Sequence, residues 1–210
     1  MKKQQLIGLL AMLVIVGSAV RIFQTQTRHP VPLVDTMTAG LSTATAEETA
    51  KLLGKPGKIV VITAADCADC LASMKLRDAF AQTVKKMPNL NIIGTETVHI
   101  PNDDQASLPD DVYRRLLERY PEADAVVSLV GPPNIRSEPL PKHVTKFVVI
   151  QLSGDPRAAI RALGQHAVDW AIIPRATAPA NHPKTPKTPR EMFDFNYEVV
   201  TPATVAQLAD

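Results

Sequence analysis

The chain reads as an α/β domain, a three-layer sandwich with a mostly parallel five-stranded sheet between two layers of helices. Three observations predict it. Short runs rich in β-branched residues recur at 58–63, 91–98, 124–130, 147–152 and 168–173, and four of the five are strongly apolar, as strands buried on both faces are. Stretches with helical spacing and helix punctuation lie between them. Alternating strands and helices imply parallel pairing with helices on both faces.

Each element has its own signals. Lys2 and Lys3 precede an uncharged, mostly apolar run from Leu6 to Val20. As a helix it spans roughly 22 Å, short of a hydrocarbon core near 30 Å and at the upper edge for a signal peptide. Arg21, Ile22 and Phe23 lengthen it, and Gly17, Ser18 and Ala19 suit a signal peptidase. Residues 1–23 are read as a signal peptide or single-pass membrane anchor. Either leaves the remainder outside the cytoplasm, in the periplasm or extracellular space, where a disulfide is permitted. Residues 24–44, rich in Thr and Ala, read as a polar spacer. Thr45 with Glu48 fits a capping box and Gly54 the stop of a short helix. After the strand 58–63, residues 67–86 read as a helix that Pro88 ends. Asp110 and Asp111 are read as capping the helix 110–120, and Asp155 as capping one that opens at Pro156 and stops at Gly164. The α/β domain is assigned to 45–175, a Pro-rich linker to 176–192, and a strand (YEVV) with a terminal helix to 193–210.

Composition limits the function. The 210 residues are 45% hydrophobic and 21% charged, which is globular. With 23 Lys+Arg against 21 Asp+Glu and 4% aromatics, the chain has neither a concentrated basic face nor base-stacking platforms, so no nucleic acid is expected as partner. Two cysteines exclude a disulfide-rich scaffold and a four-thiolate zinc site. His29, His99, His143, His166 and His182 show no ligand spacing, no serine sits in a nucleophile elbow, and no glycines form a phosphate loop. No metal or cofactor is expected.

Cys67 and Cys70 form the one chemically pointed motif, C-A-D-C after a strand and at the start of a helix. A helix N-terminus favours a thiolate, and a second thiol one turn on can resolve a mixed disulfide. The adjacent Asp66 opposes thiolate formation through like charge. The alternatives for the pair are a redox centre, a structural disulfide and two packed thiols.

Several segments resemble the second lobe of the type I periplasmic sugar-binding proteins and their repressor relatives. They are GKPGKIVVIT, then LRDAFAQTVKKMPNLNIIGTETV with Arg77 and Phe80, then RLLERYPEADAVVSLVG, GDPRAAIRALGQHAVDWAIIPR and the closing YEVVTPATVAQL. The resemblance covers roughly residues 46–175 and the tail. It implies a solute-binding lobe. Family members have two lobes with the ligand between them, so a lone lobe offers half a site. Where the family has an Asn-Asp pair opening a helix, this chain has Gly131–Pro132–Pro133–Asn134. A weaker resemblance, VITAADCADC, is to thioredoxin-like proteins, although the Trp of that motif is absent.

Both readings converge on one place. In open parallel sheets, ligands bind beyond the carboxyl ends of the strands, where the strand order reverses. For an order 2-1-3-4-5 the turns concerned are 64–67 and 131–134, which makes Asp66, Cys67 and Asn134 the candidate ligand-binding residues. The expected function is an extracytoplasmic, membrane-tethered, non-enzymatic domain that binds a small ligand or a partner protein. One alternative is a membrane-anchored thiol–disulfide oxidoreductase with Cys67 as nucleophile and Cys70 as resolving thiol. Another is a structural domain without ligand.

Overall fold

A computed structural model describes residues 33–65, 71–99, 107–135, 145–152, 155–176 and 186–205. The elements in chain order are α1 (Leu33–Leu53), β1 (Gly57–Ala64), α2 (Leu71–Val84), β2 (Leu90–Val98), β3 (Leu108–Pro109), α3 (Asp110–Arg119), β4 (Ala125–Ser128), β5 (Pro133–Asn134), β6 (Lys146–Ile150), α4 (Arg157–Gly164), β7 (Trp170–Pro174), α5 (Pro189–Asn196), β8 (Tyr197–Val200) and α6 (Pro202–Val205).

Six strands form the main sheet in the order β2-β1-β4-β6-β7-β8. The first five run parallel, in the 2-1-3-4-5 order considered above for the five predicted strands. The strand count differs from expectation by one. YEVV in the tail adds itself antiparallel to β7 and closes that edge. β3 and β5 pair as a separate two-stranded ribbon.

Side chains alternate across the sheet into two cores. Val60, Ile62, Val126, Phe147, Val149 and Ala171 pack under α3 and α4. Ile59, Val61, Val127, Val148, Ile150 and Ile172 pack under α1, α2 and α5. Tyr113 anchors the first core, with its ring edge-on to Phe147 at 5.0 Å and its hydroxyl donating to the Ala167 carbonyl at 3.1 Å. Burial first, then the negative charge of Asp169, pushes that hydroxyl up to about 12, so it stays a donor.

Three expectations are corrected. The stretch 24–44 was expected to be spacer, yet α1 is helical from Leu33, and Thr45 lies inside it rather than at its cap. Ser42, Thr45 and Thr49 are buried, and each hydroxyl donates to the carbonyl four residues earlier, which satisfies it without a partner elsewhere. The end at Gly54 stands as expected, with φ +63°. Secondly, part of the Pro-rich linker is helix α5. Thr188 accepts from the Glu191 amide, the Glu191 carboxylate accepts from the Thr188 amide, and Pro189 opens the first turn. Thirdly, Asp110 and Asp111 do not cap α3. They sit in its first turn and pair one turn on with Arg114 and Arg115, at 3.0 and 2.9 Å. The end of α4 at Gly164 stands as expected, and the left-handed residue after it is His166, at φ 57°. Asp155 does accept the Arg157 amide at 2.9 Å, as a cap should.

The two ends of the sheet are built differently. At the amino ends of the strands, Asp124 and Asp169 repeat one device. The Asp124 amide donates to the Lys58 carbonyl and its carboxylate accepts the Lys58 amide, at 2.8 and 2.9 Å. Asp169 does the same with Phe147, both bonds at 2.8 Å. Each carboxylate also takes an ammonium at 2.9 Å, Lys55 on Asp124 and Lys146 on Asp169. The carboxyl ends finish in turns.

Candidate functional site at the carboxyl edge of the sheet

The strand order reverses between β1 and β4, with β2 on one side of β1 and β6 beyond β4. Leu129 donates to the Ile62 carbonyl at 2.9 Å, so the two strands stay paired to their carboxyl ends. Past Ser128 the chain cannot continue as strand. The Ser128 hydroxyl donates to the Gly131 carbonyl at 2.7 Å, closing a tight turn. Gly131 has φ +100°, a conformation that a side chain would strain. Pro132 and Pro133 then stiffen the exit, and the Pro132 carbonyl accepts the Leu108 amide at 2.9 Å. The resulting β3–β5 ribbon places Asn134 opposite Pro109. The sequence Gly131–Asn134 is therefore a ribbon rather than the helix start that stands at this point in the resembled family.

Of the predicted site residues, Asn134 is exposed at this edge. Asp66, Cys67 and the alternative pair Cys67 and Cys70 lie outside the described residues, in the segment 66–70 that links β1 to α2. Ala65, which leads into that segment, is tied to β2 by its amide on the Val98 carbonyl at 2.9 Å. His99 ends β2 and is exposed, whereas His143 is outside the described residues.

Three polar side chains that the sequence reading passed over finish adjacent strands. Thr63 on β1, Ser128 on β4 and Gln151 just past β6 are all buried. Gln151 donates from Nε2 to the Asp155 carbonyl at 2.7 Å, and its amide holds the Ile172 carbonyl at 2.9 Å. The signal was available: each of KIVVIT, AVVS and FVVIQ is an apolar strand that ends on a polar residue. Such groups at strand ends orient ligands or shape the turns that do. Among the described residues, no group of His, Cys, Asp and Glu is placed to hold a metal ion. No helix among them is long and apolar enough to cross a membrane, and the apolar run from Leu6 to Phe23 lies outside them.

No protein-family model matches the chain, and no curated protein matches its sequence. Solved structures do match. The chain is similar to a solute-binding protein of an ABC transporter from Burkholderia graminis, in complex with D-arabinose, with 14% identity, a TM-score of 0.53, and 80% of this chain and 60% of that one covered. It is similar to AraP, an arabinose-binding protein from Geobacillus stearothermophilus, with 15% identity, a TM-score of 0.50, and 82% and 62% covered. The fructose-binding periplasmic domain of a hybrid two-component system matches with 14% identity, a TM-score of 0.50, and 82% and 59% covered. The chain spans about three fifths of the length of these proteins. The similarity around Cys67 and Cys70 to thioredoxin-like proteins finds no support in these matches. At these identities the likeness is one of architecture, and the chain has the α/β fold of the type I periplasmic sugar-binding proteins.

Proposed function

We propose that this chain is an extracytoplasmic, solute-binding-protein-like domain, tethered to the membrane by residues 6–23, that captures a small polar ligand without catalysing a reaction. One observation carries the reading. The strand order reverses between β1 and β4, where Ser128 pairs with Ile62 next to Thr63, both polar side chains are buried, and Asn134 beyond the turn is exposed. Open parallel sheets bind ligands at that place. The proposed site consists of these groups with Asp66 and Cys67, which follow β1 in the sequence. A protein partner docking on this edge is the other form of the same reading. Matched proteins bind D-arabinose and fructose by their descriptions, which makes monosaccharides the first ligands to try. In this reading Cys67 and Cys70 are inert toward exchange, and Lys2 and Lys3 stay on the cytoplasmic side.

The test is thermal unfolding of the full chain in detergent against a panel of pentoses and hexoses. A ligand present at a hundred times its dissociation constant stabilises the folded state by about 2.7 kcal/mol, a shift of several degrees. Asn134→Ala should reduce the shift while leaving the ligand-free melting temperature in place. Insulin reduction that depends on Cys67 would overturn the non-enzymatic reading.

A further inference from the structure

A second cleft, of about 460 Å³, lies on the flank of the sheet between the edge strand β2 and α3. Its floor is apolar and is made by Val98, Val112 and Leu116. Its rim is cationic, with Arg115 and Arg119 one turn apart on α3 and His99 at the end of β2. Glu96 is the one carboxylate in the lining, and it is already engaged. Arg119 Nη1 contacts it at 2.9 Å, and the Tyr120 hydroxyl donates to it.

The rim is held in place. The ring of Tyr120 lies so close to Gly94 that a Cβ there would sit 2.8 Å from it. The Arg119 guanidinium rests over the same ring, 5.5 Å from its centre. Arg115 meets Asp111 at 2.9 Å, but both side chains are 70% exposed, so that pair is weak and easily exchanged. A guanidinium carries five N–H donors. The contacts of Arg115 and Arg119 run through Nη2 and Nη1 respectively, which leaves donors on both for an incoming acceptor.

We propose that this cleft binds a small organic carboxylate, with its apolar body on Val98, Val112 and Leu116 and its carboxylate across Arg115 and Arg119. Both guanidinia already hold carboxylates here, and paired N–H donors match the geometry of that group. The cleft's volume is within the range of small-molecule sites. None of the turn residues between β1 and β4 lines it, so it is separate from the edge proposed above and does not depend on that reading.

The experiment is calorimetric titration of the full chain with 2-naphthoate and with its neutral amide, 2-naphthamide. The carboxylate should bind at least about tenfold more tightly than the amide, and Arg115→Gln should remove about that factor. Because Arg115 is exposed, this variant should melt at the parent temperature, and Arg119→Gln gives a second test alongside its own melting curve. Asn134→Ala should leave naphthoate binding unchanged. Equal binding of acid and amide, no binding of naphthoate at millimolar concentration, or full binding by the Arg115→Gln variant would each overturn the proposal. So would loss of binding in Asn134→Ala, which would place the anion at the sheet edge instead.

Discussion

The amino and carboxyl ends of this sheet solve opposite problems. At the amino end, Asp124 and Asp169 each clamp the neighbouring strand through a backbone amide and a lysine. Both lie one residue before a strand, in the segments ADAVV and VDWAI, so the device is local and repeated. The carboxyl end has no equivalent clamp among the described residues. It has a glycine at positive φ, two prolines and three buried polar side chains, of which Ser128 and Gln151 close turns. Stability is concentrated at one end, which frees the other to be shaped for binding. Strand ends that need no pairing tolerate the turns a ligand site requires.

That contrast can be broken or sharpened by substitution. The largest effect is expected for Asp169→Ala, which strips the partly buried Phe147 amide of its acceptor and Lys146 of its partner. A loss of about 3 kcal/mol is expected, readable as a fall in denaturant midpoint at constant slope. Gly131→Ala would cost about 1–2 kcal/mol through backbone strain alone. A cost equal to that of Asp169→Ala would mean that the carboxyl end is as much a scaffold as the amino end. Asp124 gives a smaller, pH-dependent effect. The Lys58 amide and then the Lys55 ammonium hold its carboxyl below its ordinary value. Its contribution is therefore complete above about pH 4 and is lost as pH falls through the lower, folded value. Asp124→Asn should lower stability by less than about 1 kcal/mol at neutral pH, and the difference should vanish in strong acid. Asn134→Ala should be the smallest, within about 0.5 kcal/mol, because the side chain is exposed.

How much of this was legible in the sequence depended on which signal carried each element. KIVVIT, AVVS, KFVVI and WAII were readable because strands buried on both faces have nothing polar to interrupt them. Their order, 2-1-3-4-5, was taken as a premise, and the parallel pairing followed from the alternation of strands and helices. The part of α1 before Thr45 escaped because the helix's buried face is built from Ser42, Ala44, Thr45, Ala46 and Thr49, small or hydroxylated residues that resemble a linker when read singly. Only their back-bonding to the preceding turn makes that face burial-compatible. α5 was obscured by the prolines around it, although Thr188, Pro189 and Glu191 spelled a capped start. Asn134 was proposed from topology. Thr63 and Gln151 were not, because a polar residue ending a strand looks like an ordinary boundary until its burial is known. The flank cleft was out of reach altogether, since it depends on how one strand is registered on its neighbour.

That register has a sharp consequence. β1 and β2 pair residue for residue up to Ile59 with Ile92, and the next pair is Val60 with Gly94, so Ile93 is an extra residue. Ile92 packs toward α2, but Ile93 and Val98 pack toward α3, and Glu96 reaches Arg119 on that side. The bulge absorbs Ile93, so Gly94, Glu96 and Val98 stay opposite Val60, Ile62 and Ala64 and share their face. Deleting Ile93 would leave those pairs in place, whereas a residue inserted after Gly94 would turn Glu96 away from Arg119 and bring Thr95 and Thr97 inward in its place. A residue gained there rewrites a surface as thoroughly as replacing its charges would. For a strand at the rim of a sheet, length is thus a form of chemical information.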